Sequence, residues 1–384
     1  MRRKLFVVLA AAALAVFAAG AQAGNGHGNG GGHGNGHGNG HGHGKGHQPP
    51  SMSVFATGFN NPRGLKFGPD GNLYVVEGGL GGQDSTAGQC DQVIPPVGPY
   101  TGSTNDPVQG GRISKVAPDG TVSTVVDALP SSQTSPALGS LVSGVADVAF
   151  LHGQLYGVTA GAGCSHGVAT IPNMVFSVSG NTWTQVADLS TFIQTHPVAN
   201  PNPDDFEPDG TFYSMIASKG SLYVVEPNHG EVDRVRTNGD ISRLVDVSAH
   251  FGHAVPTAIV RHGVFYVGNL GTFDDTDGLG DEHVYQLNPN GHIRARATGL
   301  EKVLGLAFRG GKLYALEMSY TAGGPVPGTG QIVRVRAGHA AKVIVSGLVF
   351  PTGMTIGHDR AFYVTENGFG FPAGQGEVVR IVAH

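Results

Sequence analysis

The sequence predicts an all-β protein, a six-bladed β-propeller whose blades are four-stranded antiparallel sheets. The first observation is a short motif, a turn residue followed by an apolar–Tyr–apolar core, which occurs six times. Such runs, rich in aromatic and β-branched residues and bounded by Gly, are typical of buried strands, and their recurrence indicates a repeat architecture. The copies are Gly71–Glu77, Gly153–Thr159, Gly220–Glu226, Gly263–Asn269, Gly311–Glu317 and Arg360–Glu366.

The second observation is that further strand patterns accompany every copy. A shorter apolar segment precedes the motif and an alternating strand follows it, as Gly64–Phe67 and Arg112–Val116 do around the first copy. A fourth strand follows in five of the six units. Four strands per unit are typical of a propeller blade.

The third observation concerns the ends of the chain. The sixth unit ends at His384 without a fourth strand, whereas Ser53–Phe59 resembles His292–Leu300, the fourth strand of the fourth unit. We therefore expect the N-terminal strand to pair into the last blade and close the ring, which removes exposed sheet edges.

The segment before the propeller has two parts. Met1–Ala23 has a basic start, an apolar run and an Ala-x-Ala cleavage site, which predicts a signal peptide and a secreted or periplasmic protein. Residues 24–52 are dominated by a Gly/Asn/His repeat that lacks apolar side chains and should be a disordered tether. Its histidines either bind Ni²⁺, Cu²⁺ or Zn²⁺ or serve only to keep the tether soluble. The propeller domain is then residues 53–384.

Composition limits the partners. A formal charge of −5 and a pI near 6.4 give no electrostatic basis for binding nucleic acid. No segment after the signal approaches the roughly 20 apolar residues of a membrane span. We expect a monomer whose partner is an unidentified small molecule or protein.

Loop lengths predict which face is functional. Within each unit the first two strands are joined by a tight turn such as Gly68–Gly71, whereas the second and third strands are joined by long loops such as Gly78–Gly111. Long loops gathered on one face of a rigid scaffold usually carry binding sites.

The first unit also carries a family resemblance. The run Asn61–Glu77, together with Val255–Thr257, Gly268–Phe273 and Phe350–Gly353, resembles the ScyD/ScyE family, exported bacterial proteins named for genes linked to the pigment scytonemin. The resemblance covers Ser53 to His384 and implies a six-bladed propeller. More distantly, the pattern is similar to NHL-repeat and gluconolactonase-type propellers, and the latter resemblance implies a channel metal held by carboxylates and Asn.

Two groups of residues are candidates for binding Ca²⁺. The first comprises the strand-end residues Glu77, Glu226, Asn269, Glu317 and Glu366, which should lie at similar heights near the long-loop face. The alternative is that each caps loop backbone or pairs with Arg63. The second group comprises Asp275, Asp277 and Asp281, with Glu282, on an acidic loop around Gly278 that otherwise is simply solvated.

A ligand site is predicted at the start of the innermost strands. Arg63 is the one charged residue at its position among the six units, and it either clamps an anion or pairs with one of the strand-end carboxylates. Tyr213, Thr257 and Thr352 occupy equivalent positions and are the other candidate ligand-binding residues.

Two further features concern the loops. Cys90 and Cys164, the only cysteines, lie on long loops of adjacent units, which predicts a disulfide in an exported protein. Asp204, Asp205, Glu207 and Asp209 lie near His196, but the prolines among them favour an extended polar connector over a metal or acid–base site.

The sequence therefore favours a non-catalytic propeller that binds a ligand or protein on its long-loop face, and no catalytic residue is assigned. The alternative is a Ca²⁺-dependent lactonase, another hydrolase or a lyase with a carboxylate-lined channel. Motifs such as Gly-x-Ser-x-Gly, His-Glu-x-x-His and CxxC are absent from the sequence.

Overall fold

Strands dominate the chain. The computed structural model describes residues 49–272 and 279–383. Within them lie six four-stranded antiparallel sheets and one three-stranded sheet. The predicted signal peptide and nearly all of the predicted tether lie outside the described residues.

The sheets follow one another along the chain. Sheet 1 contains β2 (Pro62–Phe67), β3 (Leu73–Glu77), β5 (Gly111–Val116) and β6 (Val122–Leu129). Sheet 2 contains β9 (Val145–Leu151), β10 (Gln154–Thr159), β11 (Met174–Ser179) and β12 (Thr182–Asp188). Sheet 3 contains β13 (Ser214–Ser218), β14 (Ser221–Glu226), β15 (Glu231–Val235) and β16 (Ile241–Asp246).

The second half repeats this order. Sheet 4 contains β17 (Pro256–His262), β18 (Val264–Asn269), β19 (Glu282–Leu287) and β20 (Ile293–Leu300). Sheet 5 contains β21 (Val303–Arg309), β22 (Lys312–Glu317), β23 (Gly330–Arg334) and β24 (Lys342–Leu348). Sheet 6 contains β25 (Gly353–Ile356), β26 (Phe362–Glu366) and β27 (Gly376–Val382), and its outer strand is the N-terminal β1 (Ser51–Phe59), antiparallel to β27.

A small extra sheet is built from the loops of the first two units. It consists of β4 (Thr101–Ser103), β7 (Ser131–Gln133) and β8 (Val142–Ser143). The described helices are short: α1 (Leu189–Thr195), α2 (Ser248–Phe251) and single 3₁₀ turns at Pro136–Leu138 and Cys164–His166. None of the described helices is long and apolar enough to cross a membrane.

The repeated motif forms the second strand of each sheet, and sheet 3 shows why it does. Lys219 and Gly220 both have positive φ, 48° and 74°, which suits the two-residue turn joining β13 to β14. Leu222 and Val224 of β14 pack into the apolar core on one side of the sheet, whereas Tyr223 and Val225 pack into the core on the other. A strand buried on both faces reads as a continuous apolar run rather than an alternating one.

The first strands of successive sheets contact one another. These contacts run in chain order through β2, β9, β13, β17, β21 and β25, and β25 also contacts β2. The starts of these six strands therefore face a common central space, and residues at those positions are able to share one site.

Candidate functional site

A cavity of about 390 Å³ opens at the long-loop end of the first strands. Three of the four predicted ligand-binding residues, Arg63, Tyr213 and Thr257, line it. A deeper space of about 150 Å³, here called the lower chamber, adjoins it and is lined by Arg63, Tyr213 and Thr352 among others. The structure thus brings all four residues to one two-chambered cavity.

β-Bulges fall at two of these four positions, Arg63 and Thr257. The pairing register shifts between Pro62 and Leu65 in β2, so Arg63 falls in an irregular segment at the start of the strand. The register shifts in the same way at Thr257 of β17 and at Leu304 of β21. A bulge leaves the extra residue unpaired and redirects its side chain. The shifts coincide with the positions at which the cavity-lining residues lie.

Apolar side chains form most of the cavity wall. The loop before β4 contributes Val97 and Tyr100, and the connection between β7 and β8 contributes Leu138 and Leu141. Leu270, which follows β18, and Phe369, which follows β26, line both chambers. Apolar walls with a few polar groups are typical of sites for small organic molecules.

Arg63 is held by backbone carbonyls. Its Nη1 donates to the carbonyls of Gly368 and, at 3.5 Å, Pro62, and its Nη2 donates to that of Val142 at 2.6 Å. Burial lowers the pKa of Arg63 below its ordinary value, while the nearby Tyr213 acts in the opposite direction. No carboxylate of the described residues lies within ion-pair distance of Arg63.

Tyr213 forms the boundary between the lower chamber and the space beneath it. It immediately precedes β13, and its Oη donates to the carbonyl of Thr352 at 2.8 Å. Below this bond lies a polar space of only about 20 Å³, which Tyr213 and Thr352 also line. Burial raises the pKa of Tyr213, so the hydroxyl stays protonated and keeps its role as a donor.

The two threonines bind mainly to protein groups. Thr257 Oγ1 donates to the carbonyls of Val303 and, at 3.4 Å, Gly268. Thr352 Oγ1 donates to the carbonyl of Pro62 at 2.7 Å. Both residues are buried, so they shape the cavity with their surfaces rather than offer free hydroxyl donors.

The rim carries polar residues that the sequence did not assign to the ligand site. His253 Nε2 lies 2.8 Å from Asp205 Oδ2, and both residues line the upper cavity together with Asp204. The acidic segment is a connector without helix or strand, and within it Glu207 and Asp209 are buried, at 5% and 6% exposed. These two acids accept bonds from the loops of sheets 1 and 2, Glu207 from Tyr100 and Asp209 from Ser165.

Glu207 belongs to a buried hydrogen-bonded group. Tyr100 Oη donates to Glu207 Oε1 at 2.8 Å, and His166 Nε2 lies 3.4 Å from Glu207 Oε2. His166 Nδ1 lies 3.0 Å from Ser132 Oγ and its Nε2 lies 3.2 Å from the carbonyl oxygen of Gly210, so this series runs from Ser132 through His166 to Gly210, with Glu207 beside it. Ser132 and His166 are fully buried and line neither chamber, so this series fixes the cavity wall and does not meet a ligand.

The predicted disulfide is present. Cys90 and Cys164 are bonded, with their Cα atoms 6.3 Å apart. The bond joins the long loop of sheet 1 to the 3₁₀ turn of sheet 2, and Thr86 Oγ1 donates to the carbonyl of Cys164 beside it. The disulfide therefore tethers the loops that support one wall of the cavity.

The strand-end residues predicted to bind Ca²⁺ each accept a bond from a backbone N–H. The distances from donor to acceptor are 2.7 Å for Asn60 to Glu77, 2.9 Å for Thr211 to Glu226, 2.6 Å for His283 to Asn269, 3.0 Å for Glu301 to Glu317 and 2.6 Å for Val349 to Glu366. These bonds fix the connections that enter or leave the strands. None of the five side chains lines either chamber.

The strand-end carboxylates are not grouped around one point in the part of the chain that the structure describes, and their role as calcium ligands stays a prediction. Within residues 49–272 and 279–383 no three His, Cys, Asp or Glu side chains are grouped as metal ligands. Glu77 forms an ion pair at 3.1 Å with Arg112, not with Arg63. Burial raises the pKa of Glu317 and of Glu366 to about 7, and for Glu317 this effect outweighs the opposing effect of Lys302.

The acidic loop before β19 is only partly described. Asp275 and Asp277 lie outside the described residues. Asp281 is exposed and Glu282 is buried at the start of β19. The calcium prediction for this loop stays a prediction.

Comparisons with known proteins establish the fold. No model of a known protein family matches the chain, and no curated protein sequence matches it. Similar solved structures include a putative glucose dehydrogenase from Thermus thermophilus, 15% identical over 87% of this chain and 100% of that one, with a TM-score of 0.54. A Bacteroides thetaiotaomicron protein of unknown function is 10% identical over 87% and 76%, with a TM-score of 0.51.

A third similar structure is a gluconolactonase from Xanthomonas campestris. It is 11% identical over 87% of this chain and 89% of that one, with a TM-score of 0.50. The likeness shows that the chain has a β-propeller fold. One propeller fold supports many unrelated functions, so the function has to be argued from the site.

Proposed function

We propose that this protein is an exported six-bladed propeller that binds a small organic ligand in the two-chambered cavity and does not transform it. The observation that carries the proposal is the cavity itself, about 390 Å³ with a further 150 Å³ beneath it. Ligand pockets typically measure about 300–1,000 Å³ and combine apolar walls with a few convergent polar groups. Arg63, Tyr213 and His253 are such groups here.

The blade count and the closed ring belong to the proposal. Six four-stranded sheets in chain order support the count. The pairing of β1 with β27 and the contact of β25 with β2 support a ring closed by the N-terminal strand. In this arrangement the extra sheet of β4, β7 and β8 is an insertion that walls the cavity.

Export is supported by the leader-like Met1–Ala23 and by the disulfide, since stable disulfides are typical of oxidising compartments.

Membership of the ScyD/ScyE family is supported by the motif residues. Asn61 lies in the turn before β2, and the Pro256–Thr257 pair opens β17, so the resembling residues cluster at the cavity end of the strands.

Binding without catalysis is supported by the state of the carboxylates. Glu226 accepts the N–H groups of Thr211 at 2.9 Å and His229 at 2.5 Å, so its two oxygens serve the backbone. Both oxygens are also occupied in Glu77, by Asn60 and Ser114, and in Glu317, by Glu301 and Gln331. A metal-assisted hydrolysis would need open ligand positions that these side chains do not offer.

The proposal is tested by closing the cavity. Leu270 lines both chambers, so Leu270→Trp should fill them, whereas Val343→Trp on the outer strand β24 adds the same ring at a position that is 51% exposed. Metabolites that raise the Tm of the mature chain should lose their effect in the first variant and keep it in the second. Stabilisation that survives Leu270→Trp would contradict the proposed site.

A hydrolase or lyase is the second candidate. The observation that favours it is the pair of His253 and Asp205, since an imidazole held by a carboxylate at a cavity wall is suited to proton transfer. Incubation of the protein with lactones and with the ligands found above, followed by NMR, separates the two candidates. Turnover that is lost in His253→Gln would establish the second candidate and exclude simple binding.

A further inference from the structure

Arg63 is a half-buried cation that has no counterion among residues 49–272 and 279–383. Its guanidinium has five N–H donors, and the described residues accept three bonds from it. The Nε–H and one further N–H have no acceptor among those residues. The three acceptors are neutral carbonyls, which orient the group but leave its charge uncompensated.

An uncompensated cation in an apolar wall is unfavourable. A guanidinium stays charged at neutral pH even when burial lowers its pKa. Removing it from water costs free energy that a paired anion would offset. The side chain keeps part of its surface accessible because that surface lines the cavity, so an anion can reach it from there.

The lower chamber restricts what reaches Arg63. Arg63 is the one charged residue among those that line this chamber, whose other walls include Ala146, Leu304 and Met318. The lower chamber, with a volume of about 150 Å³, accommodates a small polar group and not a large molecule. The acids Asp204 and Asp205 line only the upper cavity and therefore do not repel an anion in the lower chamber directly.

We propose that the ligand is an amphipathic carboxylate, bound with its anionic group on the free edge of Arg63 in the lower chamber and its apolar body in the upper cavity. This inference rests on the proposed function and adds the chemical class of the ligand. A carboxylate matches the planar guanidinium because two parallel N–H···O bonds form at once. The Tyr213 hydroxyl, already donating to Thr352, offers its oxygen only as an acceptor and so does not replace Arg63.

The test uses three probes that share one apolar body. They are 3-phenylpropionate, its neutral amide and the corresponding 3-phenylpropylammonium, each titrated into the full mature chain by calorimetry or ligand-observed NMR. The carboxylate should bind about tenfold or more tightly than the amide, and the ammonium most weakly. Arg63→Met should reduce carboxylate affinity to that of the amide and leave amide affinity unchanged.

Two variants serve as controls. Arg296→Met removes the same charge from an exposed position on β20 that lines neither chamber, and it should leave the preference for the carboxylate intact. Arg63→Lys keeps the charge but loses the planar pair of N–H donors, so an intermediate preference for the carboxylate over the amide is expected. If Arg63→Met does not fold, the preference of Arg63→Lys tests the inference instead.

The failures of the two proposals are distinguishable. Equal binding of carboxylate and amide by the wild type, or a carboxylate preference that survives Arg63→Met, would overturn the inference and leave the cavity a ligand site. Failure of all three probes to bind at millimolar concentration would contradict the cavity as a ligand site, and the inference with it.

Discussion

Tyr213 and Thr352 are joined across the central space by a hydrogen bond of 2.8 Å from the phenol to the backbone carbonyl. Tyr213 precedes β13, the first strand of sheet 3, and Thr352 precedes β25, the first strand of sheet 6. The first strands of two other sheets, β17 and β21, lie between them in the series of contacts. The bond therefore links two sheets that are not neighbours. It also separates the lower chamber from the small space beneath it.

Tyr213→Phe should lower the free energy of unfolding by about 1–3 kcal/mol, because a buried carbonyl loses its donor. Chemical denaturation measures the change. Tyr320→Phe is the matched control, since Tyr320 is 45% exposed, and it should have little effect. Equal effects of the two substitutions would show that the bond across the central space is not formed.

The disulfide should contribute substantially to stability because it closes a segment with a sequence separation of 74 residues. Replacement of both Cys90 and Cys164 by Ser should lower the free energy of unfolding by about 2–5 kcal/mol. Reductant should lower the stability of the wild type similarly and leave the double variant unaffected. A wild type that is insensitive to full reduction would contradict this role.

Stability should fall as the pH rises from about 5 to 8. Burial raises the pKa of Glu231, Glu317 and Glu366 to about 7 in the folded protein, above the ordinary value of 4.5. Between these values the folded state binds more protons than the unfolded state, so the contribution is complete below about 4.5 and is lost through about 7.

Tm measured across this range tests the pH dependence. Glu317→Gln with Glu366→Gln should flatten the profile, because an amide does not titrate and its oxygen still accepts the backbone bond. Asp127→Asn, at an exposed position on β6, is the control and should keep the wild-type slope. A Tm that rises from pH 5 to pH 8 would show that these carboxyls are ionised in the folded state.

Metal removal should leave the propeller unchanged. The strand-end acids are bonded to backbone N–H groups, so a chelator should not alter the Tm of the chain lacking Gly24–His47. Metal analysis of the same preparation should detect no stoichiometric ion that depends on Glu226. About one Ca²⁺ per chain, lost on Glu226→Gln, would restore the lactonase alternative, whereas loss on Asp277→Asn would assign it to the acidic loop.

Much of the fold was predictable because its signals are local. A turn with Gly and a doubly buried strand such as Leu222–Val225 have a sequence pattern that repeats with every sheet. The disulfide was predictable from the number of cysteines and their places on adjacent long loops. That Arg63, Tyr213, Thr257 and Thr352 lie around one space was predictable, because residues at equivalent positions of a repeat occupy equivalent places.

The rest depends on contacts that are distant in sequence. The strands β4, β7 and β8 have two or three residues each, which is too few to show an alternating apolar–polar pattern. They form only because they pair with one another. His253 was missed because its partner, Asp205, is 48 residues away and lies among prolines. Whether Arg63 paired with a carboxylate was open in the sequence, since only the structure shows that Glu77 faces Arg112 instead.

A crystal structure of the mature protein grown with 3-phenylpropionate tests the central claim most directly. The account predicts the phenyl ring in the upper cavity, with the carboxylate in the lower chamber at about 3 Å from the guanidinium of Arg63. An empty cavity at a probe concentration that saturates the protein in solution, or the probe bound elsewhere on the propeller, would contradict it.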